Sequence, residues 1–191
     1  FHVKMKKIAS IIVLFLIIIS NAMAVEEVEY EIIKTNEVYE IRKYSDHLVI
    51  ETITSNENSG FRKLFNYISG ENKTNEEIKM TVPVTQLKKN GNMIMQFYLP
   101  SKFNKENTPH PFNSDIKISN MKAGYYAVIR YSGRNSENNF IKYKNILEKE
   151  LKNNNISILG SAIKASYNGP FTLPMFRRNE AMYQIDIKTA I

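Results

Sequence analysis

The first half of the chain alternates β-rich runs with short polar interruptions. Val38–Tyr44 and Leu48–Ile53 are rich in β-branched and aromatic residues, and the polar segment Ser45–His47 between them predicts a hairpin. Farther along, Asn90-Gly91 is a strong turn signal between two further runs of strand character. Those two runs are Ile78–Val84 and Met93–Leu99. The pattern therefore predicts two pairs of strands in this half.

Between these pairs of strands lies a segment with helical periodicity. Large apolar residues recur there at positions i, i+3, i+4 and i+7, a spacing that places them on one helical face. They are Phe61, Leu64, Phe65 and Ile68. Asn58 and Ser59 are typical N-cap residues, and Gly70 stands where a helix favours glycine after its last turn. The sequence predicts a helix near Ser59–Ser69 with one apolar stripe.

The same order of patterns recurs after Pro100–Asn113, a stretch with prolines on both sides of His110 that predicts a surface linker. Ser136 is the predicted N-cap of a second helix that ends near Asn153. The apolar stripe of this helix consists of Phe140, Tyr143, Leu147 and Leu151. The runs with strand character around it are Ile116–Ile118, Tyr125–Tyr131, Ile158–Tyr167 and Ala181–Ile187.

Each half thus has the order strand, strand, helix, strand, strand. A repeated unit of this kind predicts an α+β domain: a duplicated ββαββ repeat that forms a distorted antiparallel sheet or open barrel. The single apolar stripe on each helix predicts that both helices pack on the same side of the sheet.

The first 24 residues have the organisation of a secretory signal peptide. Lys6 and Lys7 follow Met5, and the apolar run Ile8–Ile19 is shorter than the about 20 residues of a membrane-spanning helix. Ala22-Met23-Ala24 matches the small-residue cleavage pattern. We predict a signal peptide over residues 1–24, with residues 1–4 as an upstream extension, and an exported mature domain, periplasmic or secreted, over residues 25–191. An uncleaved N-terminal anchor is the alternative.

Composition and charge narrow the classes of function. The chain has no cysteine, which excludes disulfides, thiolate metal sites and covalent attachment of haem. Its net charge falls from +7 to +4 when Lys4, Lys6 and Lys7 are removed with the signal peptide. The remaining basic residues are scattered among acidic ones, so binding to nucleic acid is not predicted. We expect a monomer that is not inserted in a membrane after cleavage.

Five short motifs carry a resemblance to a known family. They are Tyr39–Tyr44 (YEIRKY), Gly60–Gly70 (GFRKLFNYISG), Ile78–Val84 (IKMTVPV), Tyr167–Thr172 (YNGPFT) and Arg177–Glu180 (RRNE). In order and spacing they resemble the SOUL/haem-binding protein family along essentially the whole mature chain. The resemblance implies a duplicated ββαββ barrel, a fold shared with gyrase-inhibitor-like ligand-binding domains. It also implies non-covalent binding of haem or a related porphyrin in an apolar groove.

With this resemblance, two segments become candidates for the ligand groove. One is the first helix and the other is the proline-stiffened loop that precedes the last strand. The candidate ligand-binding residues are Phe61, Lys63, Phe65, Phe171, Met175, Phe176, Arg177 and Arg178. The aromatics would contact the porphyrin face, and the basic residues would bind its propionates. The alternatives are that the apolar residues belong to the core and that Glu180 or Asp186 pairs with one of the arginines.

The sequence identifies neither a ligand for iron nor a catalytic motif. Only His47 and His110 remain after residue 24, one in a turn and one in the linker, so the metal ligand is unknown. The chain has no metalloprotease, nucleophile-elbow or phosphate-loop motif, and we predict that it is not an enzyme. One alternative is a gyrase-inhibitor-like hydrolase that uses Glu51 or Glu40 with Tyr98. The other alternative is a protein-interaction module.

Overall fold

The computed structural model of the protein describes residues 25–190, so the predicted signal peptide lies outside the described residues. The two α-helices of this range are α1 (Glu57–Ile68) and α2 (Glu137–Asn153). The strands are β1 (Glu26–Glu27), β2 (Glu31–Thr35), β3 (Glu40–Tyr44), β4 (His47–Thr54), β5 (Thr81–Val82), β6 (Val84–Lys89), β7 (Asn92–Tyr98), β8 (Ile116–Met121), β9 (Gly124–Tyr131), β10 (Ile163–Ser166) and β11 (Asn179–Ile185). Short 3-10 helices cover Pro174–Phe176 and Ile187–Thr189.

Nine of the strands form one antiparallel sheet. Their order is β2-β3-β9-β11-β10-β6-β7-β4-β8, and β1 and β5 form a separate parallel pair. The sheet ends at β2 on one side and β8 on the other, so it is not closed into a barrel. The predicted α+β class with two helices on a distorted antiparallel sheet is confirmed.

The strand order also shows the predicted duplication. The first half contributes β3, β4, β6 and β7, and the second contributes their equivalents β8, β9, β10 and β11. If each strand is replaced by its equivalent in the other half, the order from β3 to β8 becomes the same order read in reverse. The two halves meet in the middle, where β6 pairs with β10.

One of the two predicted hairpins is wrong. The turn at Asn90–Gly91 does join the paired strands β6 and β7, and Gly91 has the positive φ of 79° that this turn requires. By contrast, β3 pairs with β9, and β4 pairs with β8, so no hairpin forms around Ser45–His47. The first strand of each half crosses to the other half. The two crossing connections are tied together by the Ala123 N–H, which donates to Asp46 Oδ1 at 2.6 Å.

Both predicted helices are confirmed. Asn56 Oδ1 caps α1 by accepting from the N–H of Ser59 at 2.9 Å, so the helix begins slightly earlier than predicted. Ser136 caps α2 as predicted, by accepting from the N–H of Asn139. Gly70 follows α1 with a φ of 103°, the left-handed conformation that favours glycine there. Within residues 25–190 no helix is long and apolar enough to cross a membrane.

The two helices cover the same face of the sheet, as predicted. Residues that are paired across a ladder project to the same side of a sheet. Lys164 on β10 pairs with Ala181, which belongs to the core under α2, and also with Gln86 on β6. Gln86 in turn pairs with Met95, which belongs to the core under α1. A single face therefore carries both helices.

The opposite face of the sheet has its own apolar core and is covered in part by the first described residues. Val28 is buried there, and its N–H donates to the carbonyl oxygen of Val82 at 3.0 Å. The other buried members of this core are Tyr44, Val49, Tyr98, Met121, Tyr126, Val128, Ala165 and Met182. The domain over residues 25–190 thus has a core on both faces of its sheet.

The segment predicted as a surface linker is partly buried. Phe103 joins the core under α1, and Thr108 is also buried. The hydroxyl of Tyr67 on α1 donates to the carbonyl oxygen of Pro109 at 2.6 Å. Most of the segment, including His110, is exposed as predicted. The buried residues were missed because isolated apolar residues among polar ones give no periodic signal.

Candidate functional site

One side of α1 presents a stripe of three residues, Glu57, Phe61 and Phe65, to the middle of the sheet. Glu57 Oε1 accepts from Lys164 Nζ on β10 at 2.7 Å, which fixes the direction of the stripe. Phe61 lies against Phe97 with ring centroids 5.1 Å apart and stacks on Phe65 at 5.9 Å. Phe61 is 39% exposed and Phe65 is 46% exposed, so neither is an ordinary core residue.

The candidate loop, residues 167–178, joins β10 to β11 and leaves the large apolar side chains in its middle exposed. Phe171 is 98% exposed, Met175 69% and Phe176 71%. The loop is attached at Pro174, whose carbonyl oxygen accepts from the N–H of Gly133 at 2.8 Å. Large apolar groups left in water on an ordered loop are typical of a surface that binds something else.

The stripe and the start of the loop lie on either side of a short stretch of the helix face of the sheet, which we call the trough. Ser166, the last residue of β10, pairs with Val84, and Val84 pairs with Phe97 beneath Phe61. Two strand spacings, about 10 Å, therefore separate the start of the loop from the ring that supports the stripe. The floor between them includes Ser166, whose Oγ is buried and has no hydrogen-bond partner among the described residues. An unpaired buried hydroxyl is costly, which makes this floor a candidate contact for a ligand.

The basic candidates take different positions. Lys63 lies on the other side of α1 and binds Asp115 next to the edge strand β8 at 2.5 Å, so the structure does not bring it to the trough. Arg177 donates from Nε to the carbonyl oxygen of Thr172 at 2.8 Å and from Nη2 to that of Pro170 at 2.6 Å. These two bonds hold the loop in shape, and its Nη1 takes part in neither of them.

Arg178 belongs to a buried ionic cluster on the opposite face of the sheet. Its Nε donates to Glu180 Oε1 at 2.9 Å, which confirms the expectation that Glu180 pairs with one arginine. Arg42 Nη1 donates to the other oxygen of Glu180 at 3.0 Å, and Tyr167 Oη donates to it at 2.8 Å. Glu180 is 0% exposed. The cluster holds β3, β10 and β11 together.

The electrostatics of this cluster follow from burial and the single shared carboxylate. Burial lowers the pKa of Arg42, but the Glu180 carboxylate outweighs this effect and the net direction is upward. Burial raises the pKa of Tyr167, and the same carboxylate raises it further. Both groups therefore keep their protons and stay bound to Glu180. Arg42 was not recognised from the sequence, although Glu40, Arg42 and Tyr44 alternate along β3 on one face.

A cavity that the sequence did not reveal lies beside α2. It measures about 580 Å³ and is bordered by α2, by β6 and β7 near their turn, and by the segment before β10. Lys144 binds Glu148 at 3.2 Å at its wall, and the hydroxyl of Tyr183 donates to the same carboxylate. In the duplicated fold, α2 is the equivalent of α1, and the β6–β7 turn is the equivalent of the 167–178 loop. The cavity beside α2 is therefore the equivalent of the trough between α1 and that loop.

The residues of the hydrolase alternative do not form one group. Glu40 accepts from Arg42 Nε at 2.7 Å on β3, whereas Glu51 accepts from Gln96 Nε2 at 2.8 Å on β4. The Tyr98 hydroxyl is buried against Met121 Sδ, and burial raises its pKa. Among residues 25–190, no group of three or more His, Cys, Asp and Glu side chains is placed to hold a metal ion.

Comparison with known families places these features in context. A family model described as SOUL heme-binding protein matches residues 25–184, nearly the whole of the described domain. The chain belongs to the SOUL family. The resemblance drawn from the five short motifs is confirmed. The motifs lie on β3, on α1, on the segment that contains β5, on the 167–178 loop and at the start of β11.

Other proteins are similar to this SOUL protein in sequence or in fold. Heme-binding protein 2 of Mus musculus is 29% identical over 159 residues, which cover 74% of this chain and 75% of that protein. The C-terminal domain of EcmrR superposes with a TM-score of 0.59 at 11% identity, over 82% of this chain and 98% of that one. A hydrolase from Listeria innocua gives a TM-score of 0.55 at 10% identity, over 81% and 94%. At these identities the two solved structures show the shared fold alone.

Proposed function

We propose that this SOUL protein binds haem or a related tetrapyrrole without a covalent bond, in the trough between α1 and the 167–178 loop. The observation that carries the proposal is that the stripe and the loop, on either side of the trough, both leave aromatic side chains exposed. Membership of a family described as heme-binding and similarity to mouse Heme-binding protein 2 support the class of ligand.

The proposed contacts divide between apolar and charged groups. The stacked rings of Phe61 and Phe65 offer a flat surface to one side of the macrocycle, and Phe171, Met175 and Phe176 cover it from the loop. The driving force is burial of ring surface, about 25 cal/mol for each Å² removed from water. Arg177 can bind a propionate through Nη1, whereas Lys63 would first have to leave Asp115.

In this proposal, binding does not depend on a bond between the protein and the haem iron. Among the described residues, His110 is exposed in its loop and the Nδ1 of His47 lies 2.8 Å from the carbonyl oxygen of Ser45, and neither borders the trough. Haemin and metal-free protoporphyrin should therefore bind within about one order of magnitude of each other, a difference of at most ~1.4 kcal/mol.

We further infer that the protein acts by binding and not by catalysis. The fully buried carboxylate of the described domain, Glu180, is held by two arginines and is not available as a general acid. The proposal includes export, with a mature chain that begins at Val25, and a monomeric state. Intact-mass measurement of the protein from its native host tests the cleavage, since a product that retains Ile8–Ile19 would contradict it.

The ligand proposal is tested by absorption and fluorescence titration of residues 25–191 with haemin and protoporphyrin. Phe65→Ala and Phe176→Ala should each weaken binding, because they remove one ring from each side of the trough. Leu147→Ala is the matched control: it lies in the core under α2 and should lower stability without changing affinity per folded molecule. Equal loss of affinity from all three changes, or binding no tighter than to an unrelated protein of similar charge, would remove the trough as the site.

A further inference from the structure

The 167–178 loop carries a compact group of exposed apolar side chains that we call the apolar tip: Phe171, Leu173, Met175 and Phe176. Leu173 is 58% exposed, and the other three are more so. These residues stand on a 3-10 helix and a turn stiffened by Pro170 and Pro174. Exposed apolar groups of this size on one loop are typical of a surface that binds a protein or a membrane.

Part of the backbone of this loop is bonded within itself. The N–H groups of Thr172 and Phe176 donate to the carbonyl oxygens of Gly169 and Leu173. The Arg177 side chain satisfies two further carbonyls, and the two prolines have no N–H group. The N–H groups of Phe171, Leu173 and Met175 have no backbone partner among the described residues, so the tip suits the hydrated interfacial region of a bilayer and not its hydrocarbon core.

The charge beside the tip is positive. Gly133 holds Pro174 through the bond described above, which places the exposed Arg134 next to the loop. Residues 131–136 and 167–178 contain no acidic residue. Of their three arginines, Arg178 is paired with Glu180 and Glu27, which leaves Arg134 and Arg177 beside the tip. Basic residues around exposed apolar groups are suited to the surface of an anionic bilayer.

The position of the tip relative to the N-terminus points in the same direction. Glu27 Oε1 accepts from Arg178 Nη1 at 2.7 Å, so the described chain begins beside the base of the loop. The apolar run Ile8–Ile19 precedes Val25 closely in the sequence. Before cleavage, the segment that engages the export membrane is therefore joined to the domain at the end where the tip lies.

The tip is too small to suit a stable protein partner. A standard interface takes about 20–30 residues from each side, whereas the tip has four large side chains on one loop. We propose that the apolar tip docks the mature domain reversibly to an anionic lipid bilayer, with Phe171 and its neighbours in the interfacial region and Arg134 and Arg177 at the headgroups. This goes beyond the proposed tetrapyrrole binding and shares with the proposed function only the export of the mature chain.

Vesicle flotation of ligand-free residues 25–191 tests the proposal. The protein should float with vesicles that contain phosphatidylglycerol, and less with pure phosphatidylcholine or at high salt. Phe171→Asp with Phe176→Asp should lower the partition coefficient by about tenfold or more, a factor that corresponds to ~1.4 kcal/mol. The matched control is Phe112→Asp with Leu159→Asp, two exposed apolar residues outside the tip, which should leave partitioning unchanged.

Depth can be measured directly because the chain has no tryptophan. Phe171→Trp should show a blue-shifted emission with anionic vesicles and quenching by brominated lipid chains. Leu159→Trp should show neither. Circular dichroism of each variant confirms that the fold is retained.

Two outcomes would overturn the proposal. One is absence of flotation with anionic vesicles, or equal loss in the tip and control variants. The other is self-association that the tip variant abolishes while vesicles do not bind, which would make the tip a contact between copies of the chain. Because no tetrapyrrole is added, these results are independent of the ligand titration.

Discussion

Arg42 on β3 and Glu180 on β11 form a buried ion pair although 138 residues separate them. The two strands are not neighbours: β9 lies between them, and the pair bridges it on the face opposite the helices. The pair therefore links the first strand of one half to the last strand of the other. This contact can form only because the first strand of each half pairs with a strand of the other half.

The first prediction concerns this pair. Glu180→Gln keeps the shape of the side chain but leaves Arg42 and Arg178 without their shared counter-ion, and should cost about 3–5 kcal/mol of unfolding free energy. Urea denaturation measures it. The matched control is Glu76→Gln, which breaks an exposed ion pair with Lys102 (3.1 Å) and should cost less than about 1 kcal/mol. Similar losses from the two variants would contradict a structural role for the buried cluster.

The second prediction compares two asparagines at the start of α1. Asn56→Ala removes the cap that accepts from the N–H of Ser59 and should destabilise the protein by about 1 kcal/mol. Asn58→Ala lies two residues later, exposed and inside the helix, where alanine is the better helix former. It should be neutral or stabilising by up to about 0.7 kcal/mol. Thermal or urea unfolding of both variants measures the two changes in stability, which should have opposite signs. A larger loss of stability from Asn58→Ala than from Asn56→Ala would contradict the assignment of Asn56 as the cap.

Patterns within short stretches of the sequence predicted those features of the fold that depend on the spacing of neighbouring residues. The helices, the Asn90–Gly91 turn and the duplication follow from apolar periodicity and turn residues. The N-cap of α1 was predicted too late in the sequence because Asn56, Asn58 and Ser59 are all residue types that favour this position. The pairing of β3 with β9, and with it the Arg42 contact, depends on residues far apart in the sequence, for which one chain gives no signal.

The same distinction applies to the candidate site. Phe61 and Phe65 are one turn apart, so their shared side of α1 follows from helical spacing. Lys63 is about 200° around the helix from Phe61, and this spacing alone would have separated it from the stripe. The cavity beside α2 depends on how α2 lies over β6 and β7, which no periodicity in the sequence encodes.

The third prediction concerns the floor of the trough. Ser166→Ala removes a buried hydroxyl that has no partner within residues 25–190, so the ligand-free protein should be as stable as the parent, or more stable by about 1 kcal/mol. Thr81→Val is the control, because the Thr81 hydroxyl donates to the carbonyl oxygen of Tyr98 and its loss should cost about 1 kcal/mol. If Ser166→Ala destabilised the protein as much as Thr81→Val, the hydroxyl would be satisfied in solution and would give no support to a ligand contact.

The fourth prediction concerns alkaline stability. Burial raises the pKa of Tyr67 to about 12, and the nearby Glu76 carboxylate adds to the rise. In the unfolded chain a tyrosine loses its proton near pH 10. The unfolded state therefore releases the proton first as the pH rises, and unfolding becomes easier between about pH 10 and 12. Below about pH 10 the contribution of Tyr67 to stability is complete.

The hydrogen bond of Tyr67 allows a specific test. Only the protonated phenol can donate to the carbonyl oxygen of Pro109, so ionisation breaks the bond that ties α1 to the segment after β7. Urea denaturation from about pH 9 to 12 should show a shallower decline for Tyr67→Phe than for the parent, by up to about one proton in slope. Tyr125→Phe, a half-buried tyrosine on β9, is the control and should follow the parent. Parallel curves for Tyr67→Phe and the parent would show that Tyr67 ionises alike in both states, and would contradict its burial against Pro109.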